Sequence, residues 1–274
     1  MRGDLHTHSL YSDGTFTPRE LVDMALKSDF GALSITDHDT VCAFDEVLSY
    51  ARSNGIQLIP GVEISSEHFG ESVHVLGYAF DRKTTSLDEF CAVHRKRREE
   101  RNAIILEKLK KQGMEVTMEE VISLSPDAVT FGRPHIARVL VEKSYVGDIV
   151  EAFKRYLGEG KLCYESGKRW TAEQAIRAIH EAGGKAVIAH PHLIRKGSLV
   201  RDLLTLDFDG IEAYYAMMSP AENRRWVEIA HQHNLFITGG SDFHGSVRPK
   251  AVFGSSWAPE ETVDLLYTHF CSHV

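Results

Sequence analysis

Short apolar runs alternate with amphipathic stretches over the first 80 residues and again after residue 170. This is the pattern of strands and helices in an α/β fold, and it predicts a mostly parallel sheet or barrel. Thr17 and Pro18 are typical of a helix start, and Gly55 is typical of a helix end. The predicted strands cover residues 3–8, 32–36, 57–64, 74–78, 185–190, 210–214 and 235–239.

The alternation stops between residues 86 and 160, where nearly the whole segment fits a helical pattern. A long charged helix is predicted over residues 89–112, and shorter helical segments over 133–138 and 148–157. We therefore predict a discontinuous barrel of residues 1–85 and 161–274, with residues 86–160 forming an inserted helical subdomain.

Composition narrows the class of protein. The chain has 274 residues, 43% hydrophobic and 26% charged, which is ordinary for a globular protein, and no membrane partner is expected because no apolar run reaches ~18 residues. The four scattered cysteines and the absence of a recognisable signal peptide favour the reducing cytoplasm. A net charge of −8 argues against a large nucleic-acid surface, although bound divalent cations could still attract an anion.

Histidines and carboxylates recur at or near the ends of the predicted strands, except for the strand 210–214. Strand alternation places His6 with His8, and Asp242 with His244, on common sides. A lone histidine of this kind is more often structural, so His68 and His94 are given structural roles. The joint recurrence favours a shared site, because strand ends converge in α/β barrels. The candidate metal ligands are His6, His8, Asp13, His38, Glu63, His74, His190, Asp242 and His244.

Nine such groups exceed one tetrahedral shell, so two or three ions sharing a carboxylate are expected. Imidazole and carboxylate ligands without thiolate admit Mn, Fe and Zn alike.

The sequence resembles the PHP (polymerase and histidinol phosphatase) family in residues 4–9, 36–40, 61–65, 74–77, 189–191 and 240–244. The resemblance implies a distorted (β/α)7 barrel with a trinuclear metal centre. It also implies three ligand sets: His6, His8, Glu63 and Asp242; Glu63, His74 and His190; and Asp13, His38 and His244. The expected catalytic residues are Asp13, His38, Glu63, His190, Asp242 and His244.

Residues 131–138, 153–157 and 182–184 resemble one bacterial branch of this family, the 3′,5′-nucleotide bisphosphate phosphatases, some of which are also 5′→3′ exoribonucleases. The implied activity is removal of the 3′-phosphate by a metal-activated hydroxide. A 5′-3′ exoribonuclease acting on short or 5′-phosphorylated RNA, a histidinol phosphatase and a catalytically idle PHP scaffold are the alternatives. The expected partner is a phosphorylated nucleotide, with RNA 5′ ends as an alternative, and no stable protein partner is predicted.

Arg133 and His135 are the best candidate phosphate contacts outside the metal ligands, because a guanidinium can bind phosphate through two parallel hydrogen bonds. The alternative for Arg133 is a cap on the following helix. His192 stands where the family resemblance leads us to expect a small residue, and it is a further candidate substrate contact.

The run from Arg95 to Arg98 is interpreted as a solvated helix face, with guidance of an RNA 5′ end as the alternative. Asp37 and Asp39 flank His38, and capping a loop or orienting an imidazole are held as equal alternatives.

Overall fold

The computed structural model describes residues 1–194 and 196–273, which form nine strands and ten α-helices. The strands are β1 (Gly3–Thr7), β2 (Ala32–Ile35), β3 (Gln57–Leu58), β4 (Gly61–His68), β5 (Glu71–Tyr78), β6 (Trp170–Thr171), β7 (Lys185–Ile188), β8 (Gly210–Tyr215) and β9 (Phe236–Gly240). The helices are α1 (Pro18–Lys27), α2 (Cys42–Ser53), α3 (Ser86–Lys111), α4 (Met118–Ser123), α5 (Arg133–Glu142), α6 (Ile149–Ala152), α7 (Ala172–Glu181), α8 (Gly197–Leu203), α9 (Pro220–Gln232) and α10 (Glu260–Cys271).

The strands form two sheets, with the orders β1-β2-β3 and β6-β4-β5-β7-β8-β9. All pairs are parallel except those of β5, which runs antiparallel to β4 and to β7. The predicted strand 57–64 is two strands, β3 and β4, which belong to different sheets.

The two sheets meet at both edges. Beside β9, the backbone N–H of Asp242 donates to the carbonyl of His6 at 2.8 Å. Beside β4, the backbone N–H of Asp39 donates to the carbonyl of Glu63 at 3.1 Å. Seven strands, β1, β2, β4, β5, β7, β8 and β9, therefore follow one another around the distorted (β/α)7 PHP barrel, and the α/β prediction is confirmed.

Helix α1 begins where the sequence indicates. The Thr17 hydroxyl accepts from the backbone N–H of Glu20 at 3.2 Å, and the Glu20 carboxylate accepts from the backbone N–H of Thr17 at 2.8 Å. This capping box satisfies two backbone donors of the first turn. The buried face of the helix, including Leu21 and Val22, packs with Leu33 of β2 in one apolar cluster.

The helices between β5 and β6 have an apolar cluster of their own, which includes Ile105, Leu109, Ile136 and Leu140. Helix α3 begins at Ser86, earlier than predicted, and α6 continues into a π-helical turn at Phe153–Leu157. The separate cluster supports the inserted subdomain of residues 86–160, whose boundaries stay a prediction. None of the described helices combines the length and the apolar character that crossing a membrane requires.

Candidate metal centre and the cavity beside it

The candidate ligands converge where the exits of β1, β2, β7 and β9 meet β4 and β5. His74 reaches this place for a reason that the sequence did not indicate. It lies in β5 opposite Ser65 of β4, in the N-terminal half of its strand. Only the antiparallel direction of β5 brings that half to the end of the barrel where the parallel strands terminate.

Glu63 lies at the centre of the cluster and is 1% exposed. Its Oε1 is 2.6 Å from His74 Nδ1 and 2.9 Å from His190 Nε2. Its Oε2 is 3.2 Å from His6 Nε2 and 3.1 Å from His8 Nε2. Oε2 is also 3.4 Å from His38 Nδ1. The two carboxylate oxygens thus face different imidazoles, which is the arrangement of a ligand shared by two ions.

Three sets of side chains have ligand atoms within 4.8 Å of one another. The first coincides with the first predicted set. The second observed set contains the predicted set of Asp13, His38 and His244, together with His8. The third observed set differs from the prediction, because His38 takes the place of His190 beside Glu63 and His74. His190 contacts the cluster through Glu63. The three sets are His6, His8, Glu63 and Asp242; His8, Asp13, His38 and His244; and His38, Glu63 and His74.

The chemistry of these groups fits divalent ions. Asp13 Oδ1 and His38 Nδ1 are buried without a hydrogen-bond partner among the described residues, although buried polar atoms normally have one. Burial would raise the pKa of Glu63, but the imidazoles of His38, His74 and His6 outweigh it and hold that pKa well below its usual value. The carboxylate is therefore ionised and able to act as a ligand, and nitrogen and oxygen donors without thiolate suit Mn, Fe or Zn.

Glu212 belongs to the site and was missed, because strand 210–214 was predicted to carry no ligand. It is fully buried in β8. His6 Nδ1–H donates to Glu212 Oε1 at 2.8 Å, and the backbone N–H of His190 donates to Oε2 at 2.7 Å. Glu212 thereby turns His6 Nε2 towards Glu63. A carboxylate between the apolar residues Ile211 and Ala213 was the signal available in the sequence.

We expect Glu212→Gln to lower the affinity for Mn²⁺ about 10- to 100-fold, the usual effect of removing a carboxylate that orients a ligand imidazole. Titration calorimetry on the metal-depleted protein measures this affinity. Glu228→Gln is the matched control, because Glu228 is exposed on α9. Equal affinities of the two variants would show that Glu212 has no part in holding His6.

Other buried groups hold the ligand loops in place. The Tyr215 hydroxyl donates to Asp242 Oδ2 at 2.7 Å, and Arg248 also donates to this oxygen. Asp4 accepts from the backbone N–H and the hydroxyl of Ser241 at 2.9 and 2.6 Å, next to Asp242. Burial raises the pKa of Asp4 to about 6, against the opposing effect of these hydrogen bonds.

Asp37 and Asp39 also hold loops in place, through hydrogen bonds. Asp37 accepts from the Ser9 and Ser12 hydroxyls at 2.5 and 2.6 Å. Asp39 accepts from the backbone N–H of Ser65 at 3.0 Å and from Arg98 Nε at 2.7 Å. These hydrogen bonds correspond to the loop-capping alternative.

The interpretation of Arg95–Arg98 as a solvated face is wrong for three of its four residues. Lys96 is exposed, but α3 turns the three arginines towards the barrel. Arg95 donates to the carbonyl of Asp39 at 2.9 Å, and Arg97 stacks on Trp170 at 3.8 Å. The long helix packs against the exit of β2, and this contact cannot be read from the local charge pattern.

A cavity of about 130 Å³ lies beside the metal centre and is referred to as the basic cavity. It shares Asp13, His38 and His74 with the metal centre. Burial, followed by the charges of Arg98, Arg133 and Arg169, lowers the pKa of Arg101 well below its usual value. Like charges this close favour a bound anion. The basic residues that line the cavity are Arg97, Arg98, Arg101, Arg133, Lys168 and Arg169.

Arg133, but neither His135 nor His192, lines the basic cavity. His135 Nδ1 accepts from the backbone N–H of Gly132 at 2.9 Å, and its Nε2–H donates to the carbonyl of Ser12 at 2.7 Å. Both ring nitrogens are therefore hydrogen-bonded to the backbone. His192 stacks on Tyr215 with ring centroids 5.6 Å apart and lines a different cavity between α8 and α9.

The chain is similar to a known protein family, to two curated proteins and to a solved structure. Residues 4–188 match the family model described as PHP domain. The 5′-3′ exoribonuclease Rnm of Escherichia coli is 37% identical over 88% of this chain and 84% of its own. The 3′,5′-nucleoside bisphosphate phosphatase of Chromobacterium violaceum is 33% identical over 88% and 86%. A solved structure from Bifidobacterium adolescentis, provisionally assigned to the metal-dependent phosphoesterases, is 29% identical with a TM-score of 0.88 over 97% and 96% of the chains.

Proposed function

The chain belongs to the PHP domain family and is a metal-dependent phosphoesterase, and from that premise we propose that it removes the 3′-phosphate of nucleoside 3′,5′-bisphosphates. One observation carries the proposal: the basic cavity opens onto the same Asp13, His38 and His74 that face the metal centre. A substrate with one phosphate at the metals therefore has a second anion site within reach.

Different residues of this chain act at the metal centre and in the basic cavity. Two or three divalent ions, when bound by the nine predicted ligands, supply polarisation of the P–O bonds and acidification of water. Glu212 orients His6, and Tyr215 with Arg248 holds Asp242. The arginines of the basic cavity hold the 5′-phosphate and so align the 3′-phosphate with the metal centre.

The test compares adenosine 3′,5′-bisphosphate, adenosine 3′-monophosphate and histidinol phosphate as substrates in the presence of Mn²⁺. We expect kcat/KM to be roughly 30- to 100-fold higher for the bisphosphate, the value of one or two hydrogen bonds between charged groups. A chelator should abolish turnover of all three. Equal kcat/KM for the bisphosphate and the 3′-monophosphate would contradict recognition of a 5′-phosphate.

A second candidate is 5′-3′ exoribonuclease activity on 5′-phosphorylated RNA. The relative from Escherichia coli carries that name, and the basic cavity suits a 5′-terminal phosphate as well as it suits a bisphosphate. Histidinol phosphate has no second phosphate to occupy the basic cavity, and an idle scaffold gives no reason for the complete ligand cluster. A cytoplasmic location stays part of the proposal.

A further inference from the structure

A larger cavity lies between α8 and α9 and is referred to as the outer cavity. Its volume is about 540 Å³, within the usual range for small-molecule sites. The nine predicted metal ligands do not line it, and neither do the arginines of the basic cavity. The outer cavity is therefore a separate place on the molecule, with room for a ligand of its own.

The walls of the outer cavity combine a buried apolar floor with an exposed charged rim. Val200 and Trp226 are each 6% exposed and belong to one apolar core cluster, against which Ile229 packs. Arg201 of α8 and Arg225 of α9 also line the cavity, and both are exposed. A ligand that matches these walls has an apolar body and a negatively charged end.

The positive charge at the rim is not paired with a carboxylate. The arginines that form ion pairs among the described residues are Arg82, Arg98, Arg155 and Arg248. Arg201 and Arg225 are not among them. Glu222 lines the cavity too, but its carboxylate accepts from the backbone N–H and the hydroxyl of Ser219 at 2.9 and 2.7 Å. Both guanidinium groups are thus free to bind an anion.

His192 adds polar atoms to the wall of the outer cavity. Its ring stacks on Tyr215 and lies edge-on to Trp226, with ring centroids 5.5 Å apart in the second pair. Both ring nitrogens are buried without a hydrogen-bond partner among the described residues, although buried polar atoms normally have one. A neutral imidazole offers one donor and one acceptor. Polar atoms on the ring of a ligand can satisfy them.

We propose that the outer cavity binds a small aromatic anion, with its carboxylate or phosphate at Arg201 and Arg225 and its ring over Trp226. The guanidinium carbon of Arg225 is 5.5 Å from the ring centroid of Trp226, so the charged end and the ring of the ligand meet neighbouring groups. A guanidinium binds either anion through two parallel hydrogen bonds, and aromatic rings favour the faces and edges of other rings. The proposal does not depend on the reaction at the metal centre.

The test uses anilinonaphthalene sulfonate, an aromatic anion whose fluorescence rises in apolar surroundings, with the metal-loaded protein. Arg225→Glu should raise the dissociation constant of this probe about tenfold, the size of one hydrogen bond between charged groups. Arg201→Glu, on the opposite wall, should have a similar effect. Arg224→Glu is the matched control, because Arg224 is exposed on the same helix and does not line the outer cavity. It should keep the wild-type dissociation constant.

Arg133→Ala separates the outer cavity from the basic cavity and should leave the dissociation constant of the probe unchanged. Equal shifts in Arg225→Glu and Arg224→Glu would overturn the proposal, since net charge alone would then govern binding. A loss of affinity in Arg133→Ala with none in Arg225→Glu would also overturn it, because the probe would lie in the basic cavity.

Competition then identifies the anion that the two arginines bind. Benzoate carries a carboxylate on an aromatic ring, and phenylphosphonate carries a phosphate analogue that a phosphoesterase does not hydrolyse. We expect at least one of them to displace the probe from the wild-type protein, and the more effective one identifies the preferred anion. A probe that neither compound displaces would contradict a site for small aromatic anions.

Discussion

Glu63→Gln should reduce phosphoesterase turnover by roughly a thousandfold or more, because metal-ion catalysis contributes several kcal/mol to stabilising the transition state. The variant should also bind fewer equivalents of divalent metal than the wild-type protein. Turnover is measured with adenosine 3′,5′-bisphosphate in the presence of Mn²⁺, and metal content by elemental analysis of the purified protein.

The reason lies in the two oxygens of this one carboxylate. Oε1 faces His74 and His190, and Oε2 faces His6 and His8. An amide keeps the shape but loses the negative charge and one of the two oxygens. It can therefore no longer serve the ligand sets on both sides.

Glu67→Gln is the matched control, because Glu67 lies four residues further along β4 at a partly exposed position. It should retain wild-type turnover and metal content. A thermal melt of both variants shows whether the fold survives. Glu63→Gln with near wild-type turnover and a full complement of metal would refute the assignment of Glu63 as the shared ligand.

Arg133→Ala should lower kcat/KM for the 3′,5′-bisphosphate roughly 30- to 100-fold while leaving metal content unchanged. Hydrogen bonds between charged groups contribute ~1.5–3 kcal/mol, and a forked guanidinium can make two. The effect on adenosine 3′-monophosphate should be much smaller, because that substrate places no phosphate in the basic cavity.

The contacts of Arg133 explain why its removal should affect the bisphosphate and leave the bound metal unchanged. Its guanidinium carbon lies 5.8 Å from the ring centroid of Phe153 and 5.1 Å from that of Tyr164, and the guanidinium donates to the carbonyl of Leu157 at 3.2 Å. It is thus positioned by contacts that involve none of the metal ligands.

Arg138→Ala is the control on the same helix, since Arg138 donates to the Ser125 hydroxyl and lines another cavity. Equal losses with both substrates in Arg133→Ala, or a loss of metal, would mean that Arg133 supports the fold and does not select the bisphosphate.

Local sequence was enough to predict most of the strands and helices of the barrel. The capping box at Thr17 and Glu20 starts α1 at the expected residue, since it needs only two residues three positions apart. The division of residues 57–64 into β3 and β4, and the antiparallel direction of β5, were not predicted. Both depend on which strand pairs with which, and periodicity within one segment carries no information on its partner.

Histidine and carboxylate spacing identified the nine candidate ligands, because their chemistry stands out against apolar strands. Glu212 and the arginines of α3 were missed for the opposite reason. Glu212 acts through hydrogen bonds to His6 and to the backbone of His190, 206 and 22 residues away. Arg98 looks like any residue of a solvated charge run until α3 is packed against Asp39.

By itself, the sequence determined the α/β class, the resemblance to the PHP family and the identity of the candidate ligands. These follow from residue types and short spacings, which chain geometry converts into local structure. Only the tertiary structure decided that Glu63 faces imidazoles on both sides, that Glu212 orients His6, and that a basic cavity lies beside the metal centre. Those features exist where segments distant in the chain are packed together, and the energy of that packing belongs to no single segment.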